Sequence, residues 1–256
     1  MLELKEYRLP QVYVVTSWDD ADLKTRKLVH LLEKYNLEAT FFVPYAPKGI
    51  KRISDDELKT LAQRFEIGSH SVSHSILTQL SRKQIECEVR ESKRMLEKIV
   101  EKRITCFCYP GGFYDDVVIE EVKCAGYIAA RTTEIYTNRI FLSPLKIGTT
   151  LQARRQTKFT RSLLNLLKLG TPLSITKMWF DKWSAFAIFL FEVTTSKGGV
   201  YHLWGHAWEI EKQKMWKDLE DVFCHIAGRS NVNYCTLGEY VQKILSWKQK
   251  ASISGG

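Results

Sequence analysis

The run "QVYVVTSW", Gln11 to Trp18, carries apolar side chains at both odd and even positions. A strand that hides both faces belongs in a parallel sheet covered by helices on each side. Parallel neighbours need crossover helices, and the chain supplies them. Leu23, Leu28, Leu31 and Leu32 form a helical stripe within Asp22 to Tyr35, and "ATFFVP" follows as the next strand. Ser54 with Glu57 makes a capping box ahead of "DDELKTLAQRF", and "FEIGS" is a third strand. Ser81 to Val100 is an amphipathic helix, "ITCFCYP" a strand, Val117 to Cys124 a helix and "YIAAR" a strand. Near the end, "GVYHLWGH", Lys212 to Ile226, "VNYCT" and Leu237 to Trp247 continue as strand, helix, strand and helix. This rhythm predicts βα units around one parallel sheet or barrel, in one domain.

From roughly Thr137 to Lys197 the rhythm breaks. "QARRQTKFTRSLLNLLKLG" is basic and then apolar, and "MWFDKWSAFAIFLFEV" reads as a helix, so this stretch elaborates the core. Arg154, Arg155, Lys158, Arg161 and Lys168 accompany Leu163, Leu164, Leu166 and Leu167. Two readings stand: an amphipathic helix covering the barrel, or a lid that meets an anionic or lipid-linked saccharide or a membrane surface.

Composition narrows the partners. A formal charge of +9 over 256 residues favours an anionic partner, but no nucleic-acid-binding motif with interleaved aromatics is present, and nucleic acid is set aside. The opening "MLELKEYRLP" lacks the apolar core of a signal peptide, and the apolar run Ala185 to Val193 is too short to span a bilayer. Six cysteines without a CxxC pair fit a reduced, cytoplasmic protein; Cys106 and Cys108 read as small buried thiols on one side of a strand.

The polar clusters fall at strand ends. Asp19 and Asp20 follow the first strand, His70 and His74 the third, Tyr109-Pro110-Gly111-Gly112 the fourth, and His206 follows "YHLWG". In a parallel barrel such ends share one face. His70 and His74 are either surface residues or, four apart on a helical turn with Cβ atoms about 5–6 Å apart, two imidazole ligands. Asp20 would complete a two-His, one-carboxylate set with open positions. Asp19 and Asp20 read equally as a helix N-cap pair; as site residues they point apart, one to a metal and one free as general base. Gly111 and Gly112 suit a plain turn or an oxyanion contact. His206 is either a buried histidine among aromatics or a general acid, with Trp204 and Trp208 as an aromatic wall for a sugar ring.

The order and type of these motifs resemble the polysaccharide deacetylases, the family 4 carbohydrate esterases sharing the chitooligosaccharide (nodulation-factor) deacetylase homology domain. The resemblance runs from Val12 to about Trp247, outside the middle elaboration. "SWDDA" stands for T-F-D-D-G, "HSVSH" for H-[ST]-x-x-H, and "LWGH" for L-x-I-H. In "CYPGG", Cys108 stands where R-x-P-Y has arginine and Gly111 where it has tyrosine; "FDKW" with Asp181 and Trp183 only loosely meets D-x-x-D-W.

The resemblance implies an α/β fold: a single-domain distorted (β/α) barrel of about seven parallel strands over residues 1–250, elaborated at about 150–197, with a flexible tail at 251–256. It implies metal-dependent removal of N-acetyl groups from an amino-sugar-containing saccharide. Asp20, His70 and His74 would hold a divalent metal, Zn²⁺ by expectation; Asp19 would be the base and His206 the acid. Gly111, Tyr109 and Trp204 would meet the oxyanion and substrate. The expected partner is a saccharide, anionic or lipid-linked, with peripheral membrane contact. Two alternatives stay open: an amidase acting on a linear non-sugar amide, and a non-catalytic carbohydrate binder on the same scaffold.

Overall fold

The computed structural model describes residues 11–135, 143–155 and 182–254, with side chains to Lys250. Eight strands are present among them: β1 (Val12–Asp19), β2 (Thr40–Val43), β3 (Glu66–Ser69), β4 (Cys106–Cys108), β5 (Ala129–Arg131), β6 (Leu151–Gln152), β7 (Gly199–His206) and β8 (Val232–Tyr234). Seven form one curled path in the order β5-β4-β3-β2-β1-β7-β6, and β8 adds to β1. Each strand pairing is parallel, so all C-terminal strand ends lie on one face. This is the expected distorted (β/α) barrel. β1 is buried along its whole length, as a strand apolar on both faces must be.

The helices are α1 (Thr25–Lys34), α2 (Asp55–Arg64), α3 (Arg82–Val100), α4 (Asp116–Cys124), α5 (Trp183–Lys197), α6 (Ala207–Lys212), α7 (Trp216–Ile226) and α8 (Leu237–Ser254). Leu28 and Leu32 of α1 are fully buried, so truncating either to alanine would cost about 2–5 kcal/mol. Leu23 is not on that stripe: α1 begins later and Leu23 is exposed. The Ser54–Glu57 capping box forms as expected. The helix predicted over Lys212–Ile226 is α7, which starts at Trp216; a separate helix, α6, ends at Lys212, and Lys214 between them takes φ +55°. The last helix runs past Trp247 to Ser254.

The foot of the barrel is pinned by a buried carboxylate. Glu66 Oε2 accepts from Thr40 Oγ1 at 2.6 Å and from Gly238 N at 3.1 Å, tying the start of α8 to β2 and β3. Among the described residues no helix is long and apolar enough to cross a membrane. The basic stretch Lys158 to Lys168 and Asp181 lie outside the described residues, so the lid reading and the "FDKW" match are not addressed by the structure.

Candidate active site

Register brings the polar residues together. Along β1 and β7, Asp19 pairs with His206; along β4 and β5, Cys108 pairs with Arg131. Asp19 ends its strand, and Asp20 follows with φ +73°, a left-handed turn that swings its carboxylate away from its neighbour's. The two aspartates accordingly have different surroundings, as read from the sequence.

Asp20 is 3 % exposed. Its Oδ2 accepts from Trp208 Nε1 at 3.0 Å, while Oδ1 has no hydrogen-bond partner among the described residues and faces His74 Nε2 at 3.6 Å. The His70 and His74 rings meet edge-on, centroids 4.7 Å apart. His70 Nδ1 lies 2.8 Å from the Cys108 carbonyl; with the proton on Nδ1 donated there, Nε2 is left free to ligate. Burial pushes the His70 pKa down to about 4, which keeps the ring neutral, as a ligand must be. Donor atoms of Asp20, His70 and His74 lie within 4.8 Å of one another. An orphaned buried carboxylate oxygen beside two imidazoles is the donor set a divalent cation needs, so the residues fit a metal.

Asp19, His70 and Cys108 form a second grouping of that size. It is the weaker set. Burial raises the Cys108 thiol well above its ordinary pKa, so it stays protonated, and the Asp19 carboxylate is already occupied.

The predicted helical turn at His70 and His74 does not form. Val72 N and Ser73 N both donate to Glu88 Oε2 of α3, at 2.9 and 2.8 Å, and His74 N donates to Ser71 Oγ at 3.0 Å. These side-chain acceptors replace the helical ladder. Ser71 and His74 adopt φ +67° and +62°, so with Asp20 and Ala21 (φ +47°) four non-glycine residues at this site hold left-handed backbone. Strain of about 1–3 kcal/mol per such residue is tolerated where surrounding bonds over-determine it.

Arg131, at the end of β5, was not singled out in the sequence. It is fully buried, and its Nη2 donates to both oxygens of Asp19 at 2.5 Å and to Cys108 Sγ at 2.8 Å. Its guanidinium lies over the Trp204 ring at 4.5 Å and the Phe42 ring at 5.3 Å. Burial alone would raise the Asp19 pKa, but Arg131, with His70 and His206, outweighs it and holds the carboxyl below the usual range.

His206 Nε2 stands 3.8 Å from Asp19 Oδ2 and 3.9 Å from Asp20 Oδ2. Its Nδ1 faces Glu209 Oε2 at 3.5 Å, an ion-pair separation. Burial disfavours the charged ring, yet Glu209 and the two aspartates more than compensate and its pKa is raised. Glu209 also accepts from Gln152 Nε2 at 3.1 Å and pairs with Arg154 at 3.3 Å. Glu209 was likewise missed; its position three residues beyond the histidine, on the first turn of α6, was the available signal.

A cavity of about 440 Å³ opens over these groups, lined by Asp19, His70, His74, Gly111, Arg154 and His206 among others. Gly111 and Gly112 take φ +63° and +76°, and a Cβ on Gly112 would lie 2.0 Å from Thr133 Oγ1, so this turn requires glycine. Tyr109 lines the cavity, but its hydroxyl donates to Leu145 O at 2.9 Å and is spoken for. Trp204 lines the cavity and also packs against the Arg131 guanidinium, and Trp208 beside it is 40 % exposed.

A family model described as polysaccharide deacetylase matches residues 7–130, which carry both aspartates and both metal-set histidines. Over residues 7–130 the chain is similar to the polysaccharide deacetylase family. It is 32 % identical over 108 residues to a peptidoglycan-N-acetylglucosamine deacetylase of Bacillus cereus, covering 40 % of this chain and 47 % of that one. It is 27 % identical over 203 residues to a Wigglesworthia glossinidia brevipalpis protein named as a probable 4-deoxy-4-formamido-L-arabinose-phosphoundecaprenol deformylase, covering 77 % of this chain and 65 % of the relative. The chain thus spans less than two thirds of the length of these curated relatives. The fold matches the chitin deacetylase structure from Colletotrichum lindemuthianum with a TM-score of 0.60 at 16 % identity, covering 89 % of this chain and 86 % of that one.

Proposed function

We propose that the chain is a metal-dependent hydrolase that removes N-acetyl groups from an amino-sugar-containing saccharide. Asp20 Oδ1 carries the proposal. It is a buried carboxylate oxygen without a hydrogen-bond partner among the described residues, 3.6 Å from His74 Nε2 and beside a cavity lined by both imidazoles, Asp19 and His206. Asp20, His70 and His74 would hold the ion, and a mixed carboxylate and imidazole set favours Zn²⁺. When bound, it supplies Lewis-acid polarisation of the acyl carbonyl and acidifies water.

The chain's own groups divide the proton transfers. Asp19, kept ionised by Arg131, accepts the proton of the attacking water. His206, whose proton affinity is sustained by Glu209 and both aspartates, delivers a proton to the departing nitrogen. The glycine turn at Gly111 lies at the cavity wall, where its backbone N–H would meet the oxyanion. The six unpaired cysteines support a reducing compartment.

A second reading concerns the acyl group and the rest of the substrate. The deformylase relative is matched over 77 % of this chain against 40 % for the deacetylase, and Arg154 lines the cavity. The first favours a formyl amide on a lipid-linked sugar, and the second an anionic group on that sugar. Incubating the metal-loaded chain with N-acetylated and N-formylated amino sugars, with and without chelator, and assaying acetate and formate, separates the two. Release of neither, with metal bound, would favour a non-catalytic binder or a non-sugar amidase, and turnover of linear non-sugar amides by the same preparation separates those two.

A further inference from the structure

We infer that Arg131 is the positioning residue that orients the Asp19 carboxylate for proton abstraction, and that β5 supplies here what β4 would supply from position 108. The inference rests on the hydrolase reading above. Its basis is register: Cys108 and Arg131 are partners on adjacent parallel strands, so their side chains leave the sheet on the same face, side by side. Both converge on one carboxylate. Arg131 Nη2 contacts both Asp19 oxygens, and Cys108 Sγ sits 2.8 Å from that nitrogen and 3.9 Å from Asp19 Oδ2. The thiol therefore lies along the path an arginine at 108 would take to the same place.

The guanidinium is fixed rather than mobile. Phe42 and Trp204 flank its plane, Nη1 donates to Thr132 O at 3.3 Å, and the residue is fully buried. Held this way, Nη2 presents one face to Asp19 and turns the carboxylate so that Oδ2 stands 3.8 Å from His206 Nε2. Cys108 does not share the work as an ion, since its thiol is protonated; it fills the space an arginine would need. Arg131 lies one residue beyond the segment that matches the family model, and the strand ending in "AAR" discloses the role only once its register with β4 is known.

The test exchanges the two residues. Arg131→Gln, Arg131→Lys and the exchange variant Cys108→Arg/Arg131→Cys are compared with wild type and Arg131→Cys for zinc content, thermal unfolding, and kcat and KM for acetate or formate release from N-acetylated and N-formylated glucosamine oligomers. Arg131→Gln is expected to keep its zinc and KM while kcat falls about 10–100-fold, and the exchange variant is expected to regain most of that loss. Should Arg131→Gln not fold, Arg131→Lys carries the same readout. An unchanged kcat in the folded single variants, or an exchange variant no better than Arg131→Cys, overturns the inference. If wild type releases no acyl group, the hydrolase reading fails, and crystal structures of the same variants decide positioning. An Asp19 carboxylate that leaves His206 in Arg131→Gln and returns in the exchange supports it; one that does not move overturns it.

Discussion

Trp208 reaches from the first turn of α6 to Asp20, and its indole N–H occupies Oδ2 at 3.0 Å while Oδ1 is left facing His74. One oxygen is thereby held and the other presented. Trp208→Phe removes the hold but keeps most of the ring, so metal affinity should fall about 10–100-fold with little change in fold. Competition titration against a chromogenic chelator reads this directly; an unchanged affinity would remove Trp208 from the metal site's support.

Asp19→Asn separates base from ligand. The variant should retain its metal, because Asp20, His70 and His74 are untouched, and should lose nearly all turnover. It also strands the buried Arg131 guanidinium, so stability should fall by about 3–5 kcal/mol, read as an earlier urea midpoint. Near-normal turnover would mean that Asp19 is not the base.

Glu209→Gln keeps the shape of the group beside His206 Nδ1 and removes its charge. With that support gone, His206 should hold its proton less well, so kcat at neutral pH should drop about tenfold or more with KM little affected. Steady-state kinetics of acyl release provide the check. Loss confined to KM would instead place Glu209, with Gln152 and Arg154, on the substrate side of the cavity.

Glu66 gives a pH dependence remote from the site. Burial is the largest influence on it, and its pKa is raised despite the bonds from Thr40 and Gly238. A carboxyl with a raised folded pKa adds stability that is present below the ordinary carboxylate range and is lost as pH rises through the folded value. The melting temperature of wild type relative to Glu66→Gln should therefore decline as pH rises above the ordinary carboxylate range. Parallel melting curves over that rise in pH would show that Glu66 does not titrate as described.

Much of this was legible in the chain. Apolar runs marked the strands, their parallel pairing placed Asp19, Asp20, His70, His74 and His206 on one face, and the DD and HxxxH spacings marked the donor set. What was not legible depends on register and on side chains from other elements. The loop at His70–His74 looked helical by spacing, and only Glu88, on α3, shows why it is not. Arg131 carries no local signal of a role, because its partnership with Asp19 spans 112 positions in sequence. Glu209 is marked in the sequence only by its place three residues after His206, and it is 7 % exposed and turned toward that ring. Cys108 was read as a small buried thiol and is one, but its value lies in the arginine beside it.

The central claim is that Asp20, His70 and His74 hold a catalytic cation. The most direct measurement is acyl release by one preparation assayed as loaded with zinc, after chelator treatment and after zinc is restored, beside His74→Ala. The expected result is release that disappears with the metal, returns with it, and is absent from His74→Ala. Release that persists in the stripped protein, or that survives in His74→Ala, would contradict it.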